Sequence, residues 1–160
     1  MQAARSAETI AAALGVTTGS FYWYFADREA FLKSLVEYWA TAMTDPAIEQ
    51  ASQLPGDASQ RLKIVLDLVM RDDLARYDVS VRAWAAQEPT IRPIVAAADA
   101  RRLGFLRSLF VEMGFTGNAL EMRIRAVLGY LSIDPTIRQQ SGSDQRLDML
   151  DDFHAMIVAK

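Results

Sequence analysis

From Thr17 to Tyr24 the chain reads TTGSFYWY, and those eight residues carry three hydroxyls, two phenols and an indole N–H. Thr17, Thr18 and Ser20 can reach phosphate oxygens or base edges, and a threonine methyl can touch a thymine methyl. Tyr22, Trp23 and Tyr24 can donate hydrogen bonds to phosphates while packing flat on a sugar edge. Gly19 lets the backbone come close to a phosphate. Three adjacent aromatics cannot all be buried from one helix, because successive side chains point in different directions. If Phe21 and Phe25 point inward, Tyr22 and Trp23 point elsewhere. The cluster then reads as half core and half surface for a DNA duplex. Aromatics at helical spacing are also ordinary core, and that reading stands beside the first.

Residues for covalent or acid–base chemistry are sparse. His154 is the single histidine, placed in a final apolar-striped helix beside Phe153. No carboxylate–histidine set, phosphate-binding glycine loop or dinucleotide fingerprint is present. Asp72-Asp73 and Asp151-Asp152 are sequence neighbours, which on a helix face different ways and read as solvated surface. The chain has no cysteine, which excludes disulfides and thiolate metal sites and fits a reducing cytosol. A metal site would need more ligands than the chain offers. The expectation is a cytoplasmic protein that is not an enzyme, with no catalytic residue, metal or cofactor.

The 51% of hydrophobic residues against 23% charged predicts a packed core rather than disorder. No window approaches the ~18 uninterrupted apolar residues of a membrane span, and MQAARSAET lacks the apolar core of a signal peptide. No membrane partner is expected. The net charge of −3 does not by itself favour nucleic acid. Before Trp39, Arg5, Arg28 and Lys33 stand against Glu8, Asp27, Glu29 and Glu37.

The elements that must position the cluster are helical. SAETIAAAL predicts a short helix from Ser6 to Leu14, with Ser6 as N-cap and Gly15 ending it. Thr17 can cap a second helix from Thr18 to Tyr24. Helix, glycine turn and helix are the parts of a helix-turn-helix, whose second helix lies in the DNA major groove. Ala11 permits a close crossing, and Ile10, Leu14, Val16, Phe21 and Phe25 form the expected small core. A third helix starts after Asp27, its stripe Phe31, Leu32, Leu35, Trp39 and Met43. Pro46 and SQLPGD are read as interruptions. A further pattern from Ala58 carries Leu62, Leu66, Val69 and Tyr77. Helices follow over Val79–Gln87, Thr90–Met113, Asn118–Ile133 and Asp144–Val158, the third broken by Asp134-Pro135 and followed by the loop QQSGSD. No sustained alternation appears, so the fold class is all-α.

TIAAALGVTTGSFYWYFADREAFL closely resembles the DNA-binding signature of the tetracycline-repressor (TetR) family of bacterial regulators. Ile10, Ala11, Gly15, Val16, Thr17, Gly19, Phe21, Tyr22, Tyr24, Phe25, Arg28 and Leu32 meet its pattern. The resemblance implies an N-terminal helix-turn-helix region over residues 1–44, with its connecting helix, and a helical regulatory and dimerisation domain over 45–160. It implies that Thr17, Thr18, Gly19, Ser20, Tyr22, Trp23 and Tyr24 face DNA and that Arg28 binds phosphate; a solvated helix-end charge is the other reading of Arg28. In the family a further helix precedes the motif, where this chain offers MQAAR. The expectation is a chain lacking that helix, which as given binds DNA weakly or not at all.

The resemblance also implies a homodimer on a palindromic operator, released by a small molecule in the manner of a repressor. One recognition helix reads few bases, whereas a two-fold dimer reads two half-sites about one DNA turn apart. The expected interface is Leu120, Ile124, Val127, Leu128 and Leu131 of one helix with Leu147, Leu150, Phe153 and Ile157 of the last, and Ala126 and Gly129 permit close approach. The same stripes would also serve packing within one chain. An effector pocket is expected among Met70, Tyr77, Trp84, Phe105 and Phe110, each also an ordinary core position, and suits an apolar or aromatic molecule. Arg82, Arg101 and Arg102 are candidates for an anionic group. The competing class is a dimeric helical ligand-binding or interaction protein that has lost DNA binding.

Overall fold

The computed structural model describes residues 6–43, 45–53, 55–137 and 143–160. Among these, nine helices and no strands form the fold: α1 Ala7–Ala13, α2 Thr18–Tyr24, α3 Arg28–Ala42, α4 Asp45–Gln53, α5 Ala58–Arg71, α6 Asp78–Gln87, α7 Arg92–Glu112, α8 Gly117–Ile137 and α9 Ser143–Val158. No described helix is long and apolar enough to cross a membrane.

Local chemistry sets many of these boundaries. Ser6 Oγ accepts from the Thr9 N–H, Thr17 Oγ1 from the Ser20 N–H and Asp27 Oδ1 from the Ala30 N–H, so α1, α2 and α3 each begin on a side-chain cap. Asp57 and Gln60 cap each other reciprocally at the start of α5. Gly114, at φ +90°, ends α7. There the Phe115 N–H reaches Phe110 O at 3.0 Å and the Gly114 N–H reaches Val111 O at 2.9 Å. The Phe110 and Phe115 rings meet edge-on above this turn, a helix stop closed by its own apolar contact.

Several boundaries differ from the sequence reading. Pro46 does not interrupt; it is the second residue of α4, where no intrahelical N–H is required of it. α5 ends at Arg71, so Tyr77 is not on its face and is instead an exposed residue just before α6. Pro135 does not break α8, which runs on to Ile137. Its neighbour Asp134 is buried and paired with Arg146 of α9, and Thr136 Oγ1 donates to Ile133 O at 2.6 Å. The last turn is thus held from outside the helical ladder. Of the expected QQSGSD loop, residues 139–142 lie outside the described residues, and α9 already begins at Ser143.

The core has three parts. The largest lies between α5, α7, α8 and α9 and contains Leu62, Leu66, Leu106, Phe110, Ile124, Val127 and Leu150. Arg146 also donates to Met70 Sδ at 2.8 Å. His154 is a structural clip, its Nε2 3.0 Å from Ser59 O on α5. A second part joins α3 to α6 and α7 through Val36, Trp39, Ala40, Val81, Ala85 and Val95. The third is small: Ala7, Ala11 and Phe21, with Ile10, Phe25 and Phe31 against them. Leu14 and Val16, expected in this cluster, are exposed. α1 has already ended at Ala13, and the chain turns away at Gly15.

Candidate nucleic-acid interface

The turn between α1 and α2 is built by Gly15 at φ +69°, a conformation that costs a side-chain-bearing residue about 1 kcal/mol or more. The Val16 N–H reaches Ala11 O at 3.0 Å and the Gly15 N–H reaches Ala12 O at 3.2 Å, satisfying the last carbonyls of α1. Ala11 is buried where the two helices meet. Phe21 is 2% exposed and packs 5.5 Å from Phe25 and 5.4 Å from Phe31, ring centre to ring centre. Burying such a side chain stabilises by about 1.5–3 kcal/mol. It fixes how α2 is rolled against α1 and α3.

That roll turns the other aromatics outward. Tyr22 is 48%, Tyr24 77% and Trp23 84% exposed. Thr17, Thr18, Gly19 and Ser20 are exposed at the start of the same helix. The Thr17 hydroxyl is engaged in capping: it accepts from the Ser20 N–H and donates to Ser20 Oγ, both at 3.0 Å. A Cβ built on Gly19 would find only Thr17 Oγ1, at 3.8 Å, so nothing within the protein demands glycine there. Arg28 opens α3 and is half-buried. On α1, the Ser6 hydroxyl and a backbone N–H hold the Glu8 carboxyl below the usual range, so an acid stays ionised beside the motif.

Residues 3–35 match the family model described as bacterial regulatory proteins, tetR family. The matched segment takes in α1, α2 and the first half of α3. The fold also resembles a solved structure, the fatty acid degradation regulator FadR from Bacillus halodurans, with a TM-score of 0.67 at 18% identity, over 97% of this chain and 84% of that one. At that identity the likeness shows the fold. No curated protein matches at a significant level. Both similarities are to regulators, and the family match falls on the helix-turn-helix segment.

Behind the motif, the chain has an apolar cavity of about 60 Å³ bounded by α4, α5, α7 and α8. Val65, Phe105, Leu106, Val127, Leu128 and Leu131 line much of it, with Asp78, Arg102 and Ser132 as polar members. Of the five residues expected around one pocket, only Phe105 lies here. Phe110 and Met70 are buried core. Tyr77 and Trp84 line a separate surface groove between α3 and α6. The reason is geometric: Tyr77 precedes α6, and Phe110 is held by Phe115 on the far side of α7. The three candidate arginines are ion-paired. Arg82 meets Asp99 at 2.8 Å, Arg101 meets Asp45 at 2.7 Å and Arg102 meets Asp78 at 2.7 Å. Asp78 and Ser132 were not identifiable from sequence. An acid in a helix's first turn is ordinarily a solvated partner of the helix dipole.

On α8 and α9 the apolar residues divide between two faces. Leu120, Ile124, Val127, Leu150 and Ile157 are buried within the single chain, so they are not available to a second copy as expected. Leu128, Leu131, Leu147 and Phe153 are half-buried against the same core. The opposite face holds the open groove, lined by Ala126, Gly129, Tyr130, Ile133, Met149 and Met156 together with Phe153. Ile133, Ile137, Met149 and Met156 are exposed there, and Met122 lies exposed elsewhere on α8.

Proposed function

We propose that the chain binds a palindromic operator as a homodimer, represses from it, and is released by a small apolar molecule held in the cavity behind α4. The observation that carries the DNA reading is the roll of α2. Phe21 is anchored inside, while Thr18, Ser20, Tyr22, Trp23 and Tyr24 stand together outside with donors free to meet a groove. Gly19 supports it, since its missing side chain serves no internal contact.

The second copy is expected on the α8–α9 groove. A Cβ on Gly129 would meet nothing within 4 Å, so a partner helix can come close at that point. Tyr130 and Phe153 stack at 4.3 Å and form a flat apolar floor. Arg28, at the N-terminal end of α3, is assigned to a phosphate.

Selection from random duplex DNA with the full chain tests this reading. Enrichment of a two-fold symmetric sequence, lost in Trp23→Ala, supports it. No enrichment at low salt overturns it and leaves a helical ligand-binding protein in its place.

A further inference from the structure

α3 and α6 both rest on α7 through Val36, Trp39, Val81 and Ala85, and a groove of about 490 Å³ runs between them. Small-molecule sites are typically about 300–1,000 Å³, and the cavity behind α4 is far smaller, at about 60 Å³. Among the described residues the two linings share only Met43. Four rings line the groove: Tyr38 and Trp39 of α3, Trp84 of α6 and Tyr77 just before it. Trp39 is buried, Trp84 half-buried, and Tyr38 and Tyr77 are exposed. Among the described residues none of the four pairs with another ring. Arg76 is the one charged member of this lining. Its guanidinium carbon lies 4.7 Å from the Tyr77 ring centroid, which holds the cation beside the aromatic wall. Arg76 is exposed and makes no ion pair among the described residues, whereas Arg82, Arg101 and Arg102 already hold carboxylates.

We propose that the α3–α6 groove binds a flat aromatic carboxylate, its rings against Tyr38, Tyr77 and Trp84 and its carboxylate on the Arg76 guanidinium. Rings without ring partners can take an aromatic ligand edge-on or stacked. A planar guanidinium matches a planar carboxylate through two parallel N–H···O bonds. Aromatic walls also attract cations, but here Arg76 repels them. A ligand in the groove touches both α3 and α6, so it favours one spacing of the two helices. The groove can fill whether or not the cavity behind α4 does.

The test uses the full chain with naphthylacetate, naphthylacetamide, naphthylethylammonium and octanoate. Binding is read by calorimetry and by the shift in melting temperature. Naphthylacetate is expected to bind about fivefold tighter than the amide at low salt, and the gap should close as salt is raised. Octanoate, which has the charge without the rings, and the ammonium, which has the rings with the wrong charge, should both bind more weakly than naphthylacetate. Arg76→Gln should bring acid and amide to equal affinity and leave the amide unchanged. Because Arg76 is exposed and holds no ion pair, this variant should fold as the parent does. Trp84→Leu should weaken both naphthyl ligands by about fivefold, and the Arg76→Gln comparison stands even if it folds poorly. The proposal is overturned if the amide, the ammonium or octanoate binds as tightly as naphthylacetate, if Arg76→Gln keeps the acid's advantage, or if none of the four binds. A dimer that Tyr38→Glu dissociates, with no ligand bound by the parent, would give the groove to a second copy and overturn it too.

Discussion

Arg102 lies across the indole of Trp39, its guanidinium carbon 4.9 Å from the ring centroid. The same guanidinium donates to Asp78 in the cavity wall. Trp39 is in the second half of α3, whose first turns place Phe31 against Phe21 and Phe25 of the DNA-binding motif. Arg101, the preceding residue, ties the end of α3 through Ala40 O at 3.4 Å and the start of α4 through Asp45 Oδ1 at 2.7 Å. Two consecutive α7 arginines therefore grip the far end of the helix that packs against the motif. A ligand that changes how Arg102 is shared between Asp78 and Trp39 acts on α3 directly. Coupling of this kind equals the ratio of ligand affinities for the two placements of α3, and a tenfold ratio is about 1.4 kcal/mol.

Replacing Arg102 by Met should destabilise the chain by about 3–5 kcal/mol, since it leaves a buried carboxylate without its closest cation. Arg102→Met with Asp78→Asn should recover part of the loss, because the charge left behind is removed. Urea denaturation of the two single variants and the double gives the coupling, expected to exceed about 1 kcal/mol. Strict additivity would show that the two side chains do not act as a pair.

Phe21 and Trp23 are two residues apart and should behave oppositely. Trp23→Ala removes an exposed side chain and should change stability by no more than ~0.5 kcal/mol. It should weaken duplex binding by about 1–2 kcal/mol if the indole meets DNA. Phe21→Ala empties a buried site and should cost about 3–5 kcal/mol of stability where the motif can lose it cooperatively. Thermal denaturation alongside a duplex titration reads both. Trp23→Ala with unchanged affinity removes the indole from the interface.

The motif was legible because its signals are local. Ser6, Thr17 and Asp27 are caps whose partners lie three residues on, and Gly15 is the residue that a left-handed turn requires. α4 was hidden by Pro46, because a proline reads as a stop although the first turn of a helix accepts it. The interface and cavity residues fail for a different reason. The α8 stripe Leu120, Ile124 and Val127 shows that a face is apolar, not which neighbour covers it. Here α5 and α7 cover it, and the uncovered strip through Gly129 and Ile133 has a weaker pattern. A cavity depends on where packing stops, so aromatic residues such as Phe110 are poor guides to it. Asp78 is an ordinary first-turn acid by sequence, and only the tertiary packing brings Arg102 and Ser132 onto its Oδ2.

The α8–α9 groove yields a prediction about assembly. Gly129→Leu should block the close approach, and Met156→Glu should place a charge on an apolar surface. Neither position is buried in the single chain, so monomer stability should stay within about 0.5–1 kcal/mol. Sedimentation equilibrium should show a dimer for the parent and a weakened dimer for both variants. A parent that stays monomeric at high concentration would remove the two-fold arrangement from the proposal.

Glu121 carries a pH signature. Its carboxylate on α8 accepts from Arg107 of α7 and, at 2.7 Å, from Arg125 one turn along. The Arg107 hydrogen bond first and the Arg125 bond second bring its pKa from 4.5 to about 2. Because the folded value is the lower one, the contribution is fully present above the unfolded value of 4.5 and fades as pH falls towards 2. The pair is open to solvent, so added salt should blunt the effect. Carbon-detected NMR titration of the Glu121 side chain should place its midpoint below those of the other glutamates. Arg107→Ala should move that midpoint upward and flatten the loss of melting temperature between about pH 5 and pH 2. An unmoved midpoint in this variant would mean that the α7–α8 contact is not what depresses it, and Arg125→Ala would then be expected to carry the shift.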